Sequence, residues 1–152
     1  MTSRTKPVPE GYHTVTPYLI VPDATAMLAF MERAFGAEII GRHTDPSGRV
    51  MHAEARIGDS PVMLGEATAE WAPMPCMLHL YVDDVDAWFR RAVKAGGRPV
   101  REPEDMFYGD RSGGVVDAWG NQWWMATRVE DVSPEEMERR GREQAAKSAA
   151  GG

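Results

Sequence analysis

Between residues 77 and 97 the chain first alternates apolar and polar positions and then settles into a helical stripe. Leu78, Leu80 and Val82 share one face of a strand, and Met77, His79 and Tyr81 share the other. Asp83 or Asp84 then caps a helix, because an Asp carboxylate accepts from the free N–H groups of a first turn. Val85, Trp88, Phe89 and Ala92 follow at helical spacing, Lys94 lies in the last turn, and Gly96-Gly97 stops the helix. The same unit occurs earlier. Leu19-Ile20-Val21-Pro22-Asp23 aligns with Leu80-Tyr81-Val82-Asp83-Asp84 at an offset of 61 residues. Met27, Leu28 and Met31 then match Trp88, Phe89 and Ala92, and Gly36 matches Gly97. Each copy continues through a turn-rich link and a β segment to a last strand after glycine, at residues 58–64 and 120–126. A repeat of this length predicts a duplicated βαβββ module rather than a solenoid.

The remaining pattern divides the chain. Residues 1–10 are polar, with Pro7 and Pro9, and are expected to form a flexible arm; 11–66 form the first module, 67–75 a linker and 76–130 the second module. Residues 12–21 read as a first strand that Pro17 confines to an edge or a bulge. A helix is expected over 23–35 and a strand over 37–42, followed by an Asp45-Pro46-Ser47-Gly48 turn. Residues 50–57 alternate, with Met51, Ala53, Ala55 and Ile57 on one face and His52, Glu54 and Arg56 on the other. Residues 102–117 are rich in aromatics, glycine and charge, and predict a mobile loop over a site. Residues 131–152 predict a helix and a disordered tail. Ser133-Pro134-Glu135-Glu136 is a capping box with proline in the first turn, and fraying is expected from Gly141, with the last ten residues disordered.

Composition narrows the function classes. A chain of 152 residues, 43% hydrophobic and 26% charged, is ordinary for a globular protein. Its net charge of −6 argues against nucleic acid or an anionic membrane as the main partner, and mildly favours neutral or cationic ligands. The single cysteine, Cys76, excludes an intramolecular disulfide and suits a reducing compartment. No apolar run approaches the length of a membrane span, and residues 2–10 lack the apolar core of a signal peptide. A cytoplasmic location is expected.

Several segments carry a family resemblance: Pro17-Tyr18-Leu19-Ile20-Val21-Pro22-Asp23, Val50-Met51-His52-Ala53-Glu54 with Arg56-Ile57-Gly58-Asp59, and His79-Leu80-Tyr81-Val82-Asp83-Asp84-Val85-Asp86. Met106-Phe107-Tyr108-Gly109-Asp110-Arg111 and the stretch from Val129 to Glu136 add to it. Together they resemble the vicinal oxygen chelate superfamily of glyoxalases, extradiol dioxygenases and bleomycin-binding proteins, and within it the PhnB-like glyoxalase/bleomycin-resistance group. The resemblance covers about residues 11–140. It implies an α+β fold of tandem βαβββ modules with curved mixed sheets forming a half-barrel cavity. It also implies a homodimer, with modules paired within a chain or across chains. Metal enzymes of the superfamily carry His or Glu on the first and last strands of each module. The matching positions here are Thr16, Met77, Trp124 and either Val62 or Met63, none of them a credible divalent-metal ligand. No metal is therefore expected at that position.

Two kinds of chemistry remain. His52 and Glu54 share a strand face, and His79 is expected in the same cavity; the three would bind a divalent metal such as zinc or transfer protons without one. The competing structural reading makes both histidines hydrogen-bonded cavity residues, with Glu54 paired to a base. Aromatic residues are the stronger signal. Tyr18, Tyr81, Trp124, Phe107 and Tyr108 fall on cavity faces or in the loop above, with Asp110 and Arg111 beside them, whereas Trp123, by alternation, packs under a helix. Aromatic walls with a few polar groups hold a planar or cationic ligand, with Asp110 or Glu54 as its anionic partner. The leading expectation is a metal-independent protein, without cofactor, that sequesters such a molecule in the manner of bleomycin resistance. The alternatives are a glyoxalase-like lyase or isomerase using His52, Glu54 and His79, and a protein whose main property is dimerisation.

Overall fold

The computed structural model describes residues 4–151. The parts of the expected arm and tail at residues 1–3 and 152 lie outside the described residues. The first module comprises β1 (Tyr18–Val21), α1 (Ala24–Phe35), β2 (Glu38–Thr44), β3 (Val50–Ile57) and β4 (Ser60–Glu66). The second comprises β5 (Met77–Tyr81), α2 (Val85–Lys94), β6 (Arg98–Asp105), β7 (Asp110–Val116) and β8 (Gln122–Arg128), and α3 (Pro134–Ala150) follows. The two sheets have the same order, β1-β4-β3-β2 and β5-β8-β7-β6, and in each the first strand runs parallel to the last. They are curved and do not close into a barrel.

The repeat extends to backbone detail. Asp23 caps α1 at φ −140° and ψ 92°, accepting from Ala26 N, and Asp84 caps α2 at φ −141° and ψ 89°, accepting from Ala87 N. The helix stops differ by a residue. Gly36 takes the left-handed turn after α1, whereas after α2 Gly96 takes it, and the following Gly97 packs against Val115. Leu19, Val21, Ala53, Ala55, Val62 and Leu64 of one sheet and Val115, Trp123 and Met125 of the other face the helices and join them in one continuous core. Phe35, at the end of α1, crosses between modules. Its ring stacks on Trp88 of α2 at 6.3 Å and 21° and lies 4.7 Å from the Trp123 ring. Beside it Arg91 of α2 donates to the carbonyls of Arg33 and Glu32, giving the C-terminal carbonyl end of α1 a cationic partner from the other module.

Four sequence expectations need correction. The first strand covers only Tyr18–Val21, because no strand among the described residues pairs with residues 12–16; the ladder begins where Met63 N donates to the Pro17 carbonyl. Alternation in β3 breaks at its start. A register shift opposite His43 and Thr44 puts Val50 in the core and leaves Met51 exposed, while Ala53, Ala55 and Ile57 keep their expected face. Residues 102–117 are not a loop. They belong to a hairpin of β6 and β7 with a tight turn, in which Gly109 N donates to Met106 O. Finally, α3 does not fray at Gly141 but runs to Ala150, carried by pairs such as Arg139 with Glu136 and Glu143, Arg142 with Glu138, and Lys147 with Glu143. No helix among the described residues is long and apolar enough to cross a membrane.

Because Phe35 is fully enclosed by aromatic groups of both modules, Phe35→Ala should leave a cavity at their junction. The expected loss is about 3–5 kcal/mol, read as a lower denaturant midpoint in chemical unfolding.

Candidate functional site

With both helices packed into the shared core, each sheet keeps a helix-free face. On the first sheet Tyr18, His52, Glu54 and Met63 share that face, since Met63 pairs with both Tyr18 and Glu54. The alternative of Val62 or Met63 at this position is thereby resolved, because Val62 lies in the core. The Tyr18 phenol lies across Gly65, where a Cβ would meet its hydroxyl at 3.1 Å and the Met51 carbonyl at 2.7 Å. Tyr18 Oη sits 3.1 Å from His52 Nδ1, and His52 Nε2 sits 3.1 Å from Glu54 Oε1. Tyr12, from the segment before β1, adds a buried hydroxyl beside Glu54 that has no partner at full hydrogen-bond geometry. Burial, and next Glu54, push its phenol up to about 12. In return Tyr12, ahead of His52, holds the Glu54 carboxyl below the usual range, so Glu54 stays ionised at neutral pH.

On the second sheet Met77, His79 and Tyr81 of β5 share the helix-free face with Gln122 and Trp124 of β8, as alternation predicts. Trp123 is fully buried, and its Nε1 donates to Asp117 Oδ2 at 2.9 Å. Trp124 lies over Gly114, where a Cβ would meet the indole at 2.6 Å, and Nε1 donates to Gln122 Oε1. The Arg101 guanidinium stands over the same indole, 4.9 Å from its centre. Tyr81 donates to Asp110 Oδ2 at 2.8 Å, and this bond is the main cause that raises the Tyr81 pKa.

Between the edge strands β1 and β5 lies a cleft of about 1040 Å³. Tyr18 stands on its β1 side, Met77, His79 and Tyr81 on its β5 side, and Trp88 and Trp123 also reach it. The cleft therefore brings together Tyr18, His79 and Tyr81 from the expected set. Trp124 stands apart on the second sheet. Phe107 and Tyr108 do not cover the cleft: they sit in the β6–β7 turn, where Arg140 of α3 donates to the Phe107 carbonyl and Gly141 approaches its ring. Asp110 is 98% buried beneath Tyr81 and is no surface partner for a cation. Arg111 is held by a two-pronged pair with Asp86 at the start of α2. His52, Glu54 and His79 do not assemble as a ligand set, for His79 packs on Tyr81 of the other sheet. Among the described residues no three His, Cys, Asp or Glu side chains are arranged to hold a metal ion. Tyr12, Arg101 and Gln122 were not singled out from the sequence; the Gly113-Gly114 pair inside a strand is the signal that marks a close approach there.

Residues 12–125 match the model of the Glyoxalase/Bleomycin resistance protein/Dioxygenase superfamily. The chain belongs to this superfamily. An uncharacterized protein of Mycobacterium bovis, Mb0911c, is 35% identical over 135 residues, covering 82% of this chain and 89% of its own. TioX from Micromonospora sp. ML1 shares the fold with a TM-score of 0.67 at 23% identity, over 77% of this chain and 99% of that one. A Bacillus cereus structure described as a putative 3-demethylubiquinone-9 3-methyltransferase, PhnB protein, matches at 0.61 and 16% identity, over 76% and 99%. The side chains at Thr16, Met63, Met77 and Trp124 offer neither carboxylate nor imidazole.

Tyr12 gives a direct test of the polar face. The raised pKa means that folding favours the neutral phenol, so its contribution to stability is intact below the unfolded value of 10.0 and is lost as pH rises through about 12. In an alkaline absorbance titration, the step that Tyr12→Phe removes should move down in Glu54→Gln. It should stay above the ordinary tyrosine value, because burial remains.

Proposed function

We propose that the protein is a metal-independent small-molecule-binding protein of the glyoxalase/bleomycin-resistance type, sequestering an aromatic or cationic ligand against its aromatic faces. The observation that carries this reading is the uncovered state of those faces. Tyr18 is 45% exposed, Met77 64% and Tyr81 63%, and large apolar groups left this open mark a binding surface. The two faces differ in what they suit. Arg101 already supplies a cation to the Trp124 indole, so that face favours a planar, uncharged or anionic group. Glu54, ionised and half-buried, is the partner for a cationic group on the other face. The side chains at Thr16, Met63, Met77 and Trp124 support binding without metal. The PhnB-like branch and a cytoplasmic place of action, where the Cys76 thiol stays reduced, complete the reading, with protection from a planar drug as its biological use.

Titration with planar aromatic and cationic drugs, bleomycin among them, should change tryptophan fluorescence with micromolar midpoints, in EDTA as well as without it. The expectation is that Trp124→Ala removes the response, while Trp88→Phe lowers stability more than it lowers binding. A response unchanged in both Trp124→Ala and Tyr81→Ala, or one that needs added metal, counts against the proposal.

The same exposure supports a homodimer. Among the described residues one edge of β5 has no strand beside it, the free edge of β1 has one bridge from Met74 to Ile20, and Val15, Trp71 and Met74 add exposed apolar surface. Sedimentation at micromolar concentration should give twice the 16.8 kDa chain mass, and a monomer rejects the dimer.

A further inference from the structure

The ordered row Tyr18–His52–Glu54 has no evident structural task. It caps no helix and lies on the face of the sheet opposite the core, and half-exposed polar pairs of this kind contribute less than about 1 kcal/mol to stability. Its hydrogen bonds nevertheless run in one direction. An ionised carboxylate only accepts, so in the neutral form of the imidazole it is Nε2 that carries the hydrogen and donates to Glu54. Nδ1 is then left with its lone pair, 3.1 Å from the Tyr18 hydroxyl, which donates to it. Hydroxyl, imidazole and carboxylate thus stand in the order in which a base withdraws a proton from a hydroxyl and a carboxylate steadies the resulting imidazolium. Tyr12 lies beside Glu54 and His43 lies 6.3 Å from the His52 ring, while at the other end of the row Tyr18 is 45% exposed and lines the cleft wall.

We propose that Tyr18, His52 and Glu54 form a metal-independent proton-transfer centre that acts on carbon acids, meaning planar neutral molecules with a C–H next to a carbonyl or on a C=N carbon. The substrate proton passes to Tyr18 Oη as the Tyr18 proton passes to His52 Nδ1. The C–H electron pair stays on the substrate as an enolate or expels a leaving group. The positive charge rests on the imidazolium held by Glu54. Reversal returns the proton to the same or a neighbouring carbon, so no oxidant, reductant or co-substrate is required. Tyr18 is the catalytic residue, His52 the base behind it and Glu54 a positioning residue. The centre lies apart from Trp124 and goes beyond the binding role.

The planar probe 5-nitrobenzisoxazole reads such a base directly. Removal of its C3 proton turns the C–H pair into the third bond of a nitrile and breaks N–O, whose bonding pair stays on the oxygen of a coloured cyanonitrophenolate. The protein should exceed an equal concentration of free imidazole by about 10²-fold or more, with EDTA present. Tyr18→Phe keeps the ring on Gly65, and hence the packing, and should lose at least about tenfold, as should His52→Gln. Glu54→Gln should lower kcat and leave KM within about twofold, a split that mere loosening of the face does not produce. A rate no greater than that of free imidazole, or a rate retained in Tyr18→Phe or His52→Gln, overturns the proposal. Tryptophan fluorescence titration of the same variants separates the two readings: a drug response kept while the probe reaction is absent rejects this centre alone.

Discussion

One aromatic ring holds the two halves of this protein in register. Phe35 ends α1, yet its contacts are with Trp88 on α2 and Trp123 on β8, so the first module completes the core of the second. Arg91 acts in the opposite direction, from α2 onto the carbonyl end of α1. Dispersion between stacked rings depends steeply on distance, and the guanidinium fork needs both carbonyls in place, so the two contacts fix one relative placement of the helices. A consequence reaches the function. Helices engaged with each other and with both sheets leave the opposite faces of those sheets uncovered, and the exposed rings of Tyr18 and Tyr81 stand there, beside the cleft.

The duplicated unit was legible because its signals are local. An Asp cap, an apolar stripe and a glycine stop recur at one offset, and the matching φ and ψ of Asp23 and Asp84 show that equal sequence signals produced equal backbone. Alternation placed Trp123 and Trp124 correctly because β8 is paired on both sides and carries no bulge, so its period of two runs unbroken. Where a bulge intervenes, as at Val50 and Met51, the same rule fails by one residue. The hairpin around Phe107 was misread for a different reason. Phe107 docks on α3, and that helix runs on past Gly141 through ion pairs that an apolar-stripe criterion does not register.

Site residues were legible strand by strand but not between strands of different modules. His52 and Glu54 are two apart on one strand, so a shared face follows from pleating alone. How His79, on the other sheet beside Tyr81, stands relative to His52 and Glu54 depends on how the modules meet, and Phe35 and Arg91 decide that through contacts far from any of the three. Tyr12 escaped notice because it belongs to no strand; only the folded chain carries its hydroxyl back over Glu54.

The strand registers also show how one module gave two chemistries. Glu54 pairs with Met63 in the first sheet, and Gly114 pairs with Trp124 at the equivalent place in the second. A flexible thioether beside a carboxylate leaves that carboxylate open to Tyr12 and His52. Replacing the carboxylate by glycine removes the charge and opens the space a flat indole needs, since any Cβ at Gly114 would strike the ring. Tyr18 and His79 likewise exchange a phenol for an imidazole at matching positions on β1 and β5, and the imidazole packs edge-on against Tyr81 instead of joining a carboxylate. Two modules of one topology thus carry a polar row on one sheet and an aromatic platform topped by arginine on the other. The difference rests on which member of each cross-strand pair is small.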